Sequence, residues 1–334
     1  MNSRKLASIM ITALAVWGCD GGTEPLPPGH TFPERDFVCP QGESPLCSTT
    51  VPANDDRART HEVGDELAGE TRTYVISALT VPDGSDGNAA GFNLDGLNSG
   101  DVYEGDTCAE QQLDYGSTTD PDQVGVDNSL IEVLGAVGGI SSDFDVNESL
   151  REQITSGSLL LLLEVSGIDS FRYDDAVSVQ IRLGAVPAGA TLGVTGGVLD
   201  AGQAYDVAME LGAAVNGDIY DGRVRVTAQM LNINITLDDM ALELRISSPQ
   251  IRFDISETGL TNGQIGGTVT LDDLIEAAVE IEAVQGFCGT DPECGAVREL
   301  LGGFADITPS ADDPETCEAL SVGIAFDGTT ATIN

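Results

Sequence analysis

Along most of the chain, apolar residues recur at every second position. Val224, Val226, Ala228 and Met230 alternate with polar neighbours, and Leu242, Leu244 and Ile246 do the same, as do Ile251, Phe253 and Ile255. A two-residue period puts one set of side chains on each face of a pleated strand, so these segments read as half-buried antiparallel strands with one polar face. Further strands are expected over 73–76, 159–165, 176–183, 205–211, 320–326 and 329–333. Asp238-Asp239, Ser248-Pro249, Asn262-Gly263 and Asp327-Gly328 supply turn chemistry between the runs. Helical spacing is rarer and announces itself by caps. Ser129 with Glu132 and Thr270 with Asp273 form capping boxes, Asn147 is positioned to cap a helix over 148–154, and a fourth helix fits 296–304. Many short strands with few helices predict a mainly β fold, an antiparallel β-sandwich with a few short helical excursions, occupying residues 73–334.

The N-terminus follows a different pattern. Arg4 and Lys5 precede an unbroken apolar stretch from Leu6 to Trp17. As a helix it would reach roughly 18 Å, against a hydrocarbon core of about 30 Å, so it fits a signal peptide better than a permanent span. The stretch ends in Val16-Trp17-Gly18-Cys19, which resembles the bacterial lipobox. That resemblance implies cleavage after residue 18 and lipid on Cys19, giving a signal peptide over 1–18 and an anchor in the membrane. The competing expectation is an ordinary secretory signal whose cysteine later enters a disulfide. Residues 19–72 are rich in Pro, Gly, Thr and charge with hardly any apolar periodicity, so they read as a linker holding a small disulfide loop.

Seven cysteines are an odd number, and an exported chain favours pairing. Assigning Cys19 to lipid leaves six. Their spacing suggests Cys39 with Cys47, Cys288 with Cys294, and Cys108 with Cys317, although six cysteines allow 15 pairings. A zinc site has little support, since no CxxC occurs and the two histidines, His30 and His61, lie far from most of the cysteines.

Composition narrows the partners. The formal net charge is −41, and removing residues 1–18 takes away Arg4 and Lys5. Nucleic acid and anionic lipid are repelled by such a surface. No GxSxG elbow, phosphate loop or dinucleotide fingerprint occurs. The segment from Asp120 to Asn128 resembles the aspartate-rich loops of calcium-binding repeats. Asp120 and Asp122 stand at the first and third positions and Gly125 at the sixth, with Asp127 and Asn128 as further oxygen donors. Val124 replaces an oxygen ligand and Ile131 a bidentate glutamate, so an EF-hand is excluded. The alternative is a polar turn leading into the helix at Ser129. A second acidic loop contains Asn93, Asp95, Asp101, Glu104 and Asp106.

The aspartate-rich loop, the Leu159–Leu163 run and the terminal Cys-Glu-Ala-Leu-Ser-Val-Gly-Ile-Ala-Phe together resemble large uncharacterised myxobacterial lipoproteins. The resemblance spans 91 to the end and implies a cell-envelope location, with outer membrane or cell surface favoured over inner membrane. Two function classes follow. One is a non-catalytic binding or structural module of the envelope, calcium-stabilised, meeting an envelope protein or glycan. The other is a glycosidase-like hydrolase using paired carboxylates, for which 55 acids nominate no pair.

Overall fold

The computed structural model describes residues 67–96, 98, 108, 114–120, 123–140, 145–237, 240–279, 295–310, 313 and 316–334. The expectations for Cys19, Cys39, Cys47, Asp122, Cys288 and Cys294 therefore lie outside the described residues.

Eight strands close into an antiparallel barrel, which corrects the expected sandwich. In order around the ring they are β1 (Glu70–Thr80), β5 (Leu161–Ile168), β6 (Tyr173–Ala185), β10 (Val215–Tyr220), β11 (Arg223–Thr227), β13 (Met240–Ile255), β14 (Gly259–Thr270) and β16 (Cys317–Ile333). Pairing of β16 with β1 shuts the ring. Outside it, β12 (Met230–Leu237) pairs with the first half of β13, and β15 (Ile307–Pro309) with β16. β9 (Gln203–Glu210) bridges the ends of β6 and β16. The remaining strands are short: β2 (Asn88–Ala89), β3 (Asp114–Ser117) and β4 (Val126–Asp127) form one small array, and β7 (Val194–Thr195) with β8 (Val198–Leu199) another.

The reason for the correction is local. Ser248-Pro249, Asn262-Gly263 and Asp327-Gly328 end no strand; each lies inside a long one. Ser248 (φ 48°) and Asn262 (φ 53°) adopt left-handed backbone, and the pairing register shifts beside both. Pro249 has no N–H to donate, yet the ladder survives because Ser248 N–H donates to Gln229 O and Ala228 N–H to Pro249 O, both at 2.9 Å. Such bulges bend a strand and increase its twist, so a few long strands coil round to their own edge where many short ones would have stacked as two sheets.

Four helices are described: α1 (Leu130–Ile140), α2 (Val146–Ser156), α3 (Leu271–Val279) and α4 (Gly295–Gly302). The Thr270 box is present, with Asp273 N–H donating to Thr270 Oγ1 at 3.1 Å. The cap of α2 is Asp145, two residues before the expected Asn147. Asn147 instead ties the helix to the barrel, its amide bonding both Val81 N–H (2.8 Å) and Val81 O (3.0 Å).

Successive registers trace two rows around the wall. Val177, Gly217, Val226, Ile251, Ile265 and Ile324 stand opposite one another and face the lumen. One residue further on, Asp218, Arg225, Arg252, Gln264, Ala325 and Thr80 form an outward row. The lumen is filled by aliphatic side chains and by Phe253 against Phe326, ring centroids 5.9 Å apart. The void left between Ile76, Leu163, Ile181, Ile233 and Phe326 is about 10 Å³, no more than a water molecule needs.

Candidate functional site

Along the middle of β14 and β16 both faces are buried, because Ala90, Phe92, Ser117, Thr118, Thr119 and Asn128 lie over the outside of the barrel. A pair of glycines makes this possible. Gly266 and Gly323 are register partners on the outward face. A Cβ on Gly266 would meet Phe92 Cδ2 at 2.6 Å, and one on Gly323 would meet the Ala90 carbonyl oxygen at 1.9 Å. Glycine inside a strand marks a close backbone approach, and here it admits the cover. Phe92 also lies under the Arg252 guanidinium, 4.9 Å from ring centroid to Cζ, and Arg225 behind it pairs with Asp218.

Polar side chains fix the cover in place. Asn128, fully buried, donates from Nδ2 to Ala90 O (2.9 Å) and Gly323 O (3.0 Å), and its Oδ1 accepts from Gly323 N–H (3.1 Å). Its amide thus imitates a strand's peptide group against β16. Ser129 N–H donates to Ser321 Oγ at 2.8 Å, and Ser129 Oγ lies 3.1 Å from Asp306 Oδ1. Asp306 accepts from Ser321 N–H (2.7 Å) and Ser321 Oγ (2.5 Å). Gln264, 1% exposed, reaches from the wall to Ser117 Oγ, Thr118 Oγ1 and Thr119 Oγ1 at 3.3, 3.4 and 2.5 Å. The Cys108–Cys317 disulfide, one of the expected pairs, fastens the same region to β16. Cys108 Sγ sits 3.8 Å from Asp306 O.

Two carboxyls in this seam differ strongly from water. Burial raises Asp306 to about 7, against the opposing pull of the Ser321 and Ser129 donors. Burial likewise raises Asp127 to about 9, helped by the nearby charge of Asp95 and then of Asp306 and Asp114, while the Leu94 N–H pulls it back. That N–H donates to Asp127 Oδ2 at 2.6 Å, and the Asp95 N–H to the same oxygen at 3.4 Å.

The four residues expected to hold calcium therefore have separate circumstances. Asp120 N–H donates to Ser117 Oγ (3.2 Å) and its carbonyl accepts from Gln123 N–H (3.1 Å), which makes a tight turn. Asp127 is buried beside Asp95, and the amide of Asn128 is engaged with backbone at both of its polar atoms. Asp122 lies outside the described residues. Among the described residues no group of three or more His, Cys, Asp or Glu is placed to hold a metal ion. Sequence patterns did not single out Asp306, Ser321, Gln264 or the two seam glycines. The one available signal was glycine within an alternating strand. Comparison with family models, with curated proteins and with solved structures finds no match to this chain.

Proposed function

We propose that this chain is a lipid-anchored, non-catalytic module of the bacterial cell envelope, a closed acidic barrel held at a membrane through Cys19. The observation supporting the non-catalytic half is the use made of its buried polar groups. Asn128, Ser129, Gln264, Asp306 and Ser321 are hydrogen-bonded across the seam, so the two most perturbed carboxyls have structural partners. The lipobox-like Val16-Trp17-Gly18-Cys19 supports the anchor, since multiple acyl chains hold a protein stably where one is marginal. Calcium enters this proposal as a neutraliser of Asp120 and Asp122, while Asp127, raised to about 9 by burial, and Asn128, whose amide is engaged with backbone, serve the seam. An envelope protein or glycan is the partner class.

The test is labelled fatty acid in the expressing cell. The wild-type chain incorporates label and stays with membranes, whereas Cys19→Ala does neither; label retained in the variant refutes the anchor. On the purified protein, calcium should raise the melting temperature more than magnesium at equal ionic strength, because magnesium demands tighter octahedral geometry. Equal responses, unchanged in Asp120→Ala/Asp122→Ala, remove calcium from the proposal.

A further inference from the structure

Both strands flanking β16 bulge at the same height. β1 shifts register between Ile76 and Ala78, which stand opposite Gly328 and Asp327, and β14 shifts between Leu260 and Gly263, opposite Gly328 and Phe326. The wall is splayed there on its outward side, beside the edge of the cover. A cleft of about 180 Å³ opens between β1, β14, β16 and Thr118-Thr119. Bulges cluster where a sheet re-aims side chains at a site, and a non-glycine residue with positive φ, here Asn262, is a further mark of such places.

The cleft's walls differ in hydrogen-bonding sense. On one side Gln264 Nε2 donates to Thr119 Oγ1 at 2.5 Å and lies 3.4 Å from Thr118 Oγ1. A hydroxyl that accepts from an amide keeps its own proton, which exposed Thr118 can donate into the cleft, while Thr119 Oγ1 also lies 3.5 Å from Ser117 Oγ, where either hydroxyl can be the donor. On the other side stands the exposed carboxylate of Asp327, an acceptor only. Between them Ala78 and Ala325 make a low apolar floor, so the hollow exists because these positions carry methyl groups.

We infer that this cleft binds a neutral vicinal diol of the size of one sugar ring, as a free glycoside or as the terminal unit of a glycan. Each hydroxyl of a diol both donates and accepts, so it serves Asp327 and the threonines together. An ammonium ion leaves the threonine donors unused, and an anion is repelled by Asp327 and by the chain's net charge of −41. The volume is below the ~300 Å³ at which drug-sized sites begin, which limits the ligand to one ring. The site is independent of the lipid anchor and of the seam carboxyls.

The test uses the full chain carrying Cys19→Ala, labelled with nitrogen-15 and titrated with methyl glucoside, methyl galactoside and methyl mannoside. Butylammonium chloride and sodium phosphate serve as charged controls. At least one glycoside should move the backbone amides of Thr118, Thr119, Gly263 and Asp327, and the controls should not. Thr119→Val and Asp327→Asn should each weaken that binding about tenfold, or about 1.4 kcal/mol. Ala325→Leu fills the floor, leaves both walls intact and should abolish binding. The inference is overturned if none of the glycosides moves these amides, if butylammonium moves them as strongly, or if Thr119→Val and Ala325→Leu bind as wild type does.

Discussion

Along the middle of β14 and β16 the two faces are both buried, yet they are packed by different means. Inward, Ile265, Ile324 and Phe326 meet other aliphatic and aromatic side chains, whose contact is non-directional and tolerates exchange between shapes of similar volume. Outward, two glycines, an asparagine and a buried acid meet backbone, and a glutamine meets side-chain hydroxyls, all at defined distances. One strand can thus serve a forgiving core and an exacting seam at once, because its period of two separates the residues that answer to each. The inward set should set the barrel's stability, and the outward set should set whether the cover stays on.

Gly323→Val should produce the largest effect. Its Cβ would fall 1.9 Å from the Ala90 carbonyl, a backbone atom that cannot rotate away, so a loss on the order of 4 kcal/mol is expected. Hydrogen exchange distinguishes this from general unfolding: amides of 88–95 and 114–128 should lose protection while β5, β6 and β13 keep theirs. If the barrel strands lose protection equally, the two faces are one cooperative unit and the distinction fails.

Leu163→Ala, on the inward face opposite Ile181, comes next, at about 3 kcal/mol from lost burial and the cavity left behind. Its effect should spread evenly over all strands of the ring. A denaturant midpoint unchanged by this substitution would mean that the lumen adds little to stability.

The third effect is smaller and depends on pH. Asp127 and Asp306 have raised pKa values in the fold, so their contribution is fully present below the unfolded value near 3.8 and is lost as pH rises through about 7 and then about 9. Melting temperature should fall from pH 5 to pH 9. Relief of the general acidic charge gives the same sign, so Asp127→Asn separates the two. An asparagine oxygen can still accept from Leu94 and Asp95 but carries no charge, and the variant should be more stable than wild type at pH 9, by about 1 to 2 kcal/mol, with a flatter profile. Parallel wild-type and variant profiles would assign the whole slope to surface charge.

Much of the barrel's local character was legible, and its closure was not. The two-residue period of Val224 to Val226 and Ile251 to Ile255 located strands, and Ser129 and Thr270 located helix starts. Ser248-Pro249, Asn262-Gly263 and Asp327-Gly328 misled because a bulge and a turn use the same residue chemistry. What separates them is whether the next run continues the same strand, and that depends on partners far along the chain. The seam was hidden for a related reason. Asn128 and Asp127 stood out as oxygen donors, but the partner that engages Asn128 is the backbone of Gly323, 195 positions away. Asp306 is a single acid between Ala305 and Ile307, and no local spacing gives it meaning.

Because β16 supplies the final stave of the ring, closure has a timetable. Ser77 on β1 and Asp327 on β16 are 250 positions apart, and at roughly 5–20 residues per second the ribosome takes tens of seconds to make the second after the first. Throughout that interval β1 and β14 lack the strand that lies between them, and the chain cannot lock. Contacts of such long separation also form slowly once all residues are present. For the exported chain proposed above, both delays favour crossing the membrane before folding, and they arise from the position of one strand in the order of synthesis.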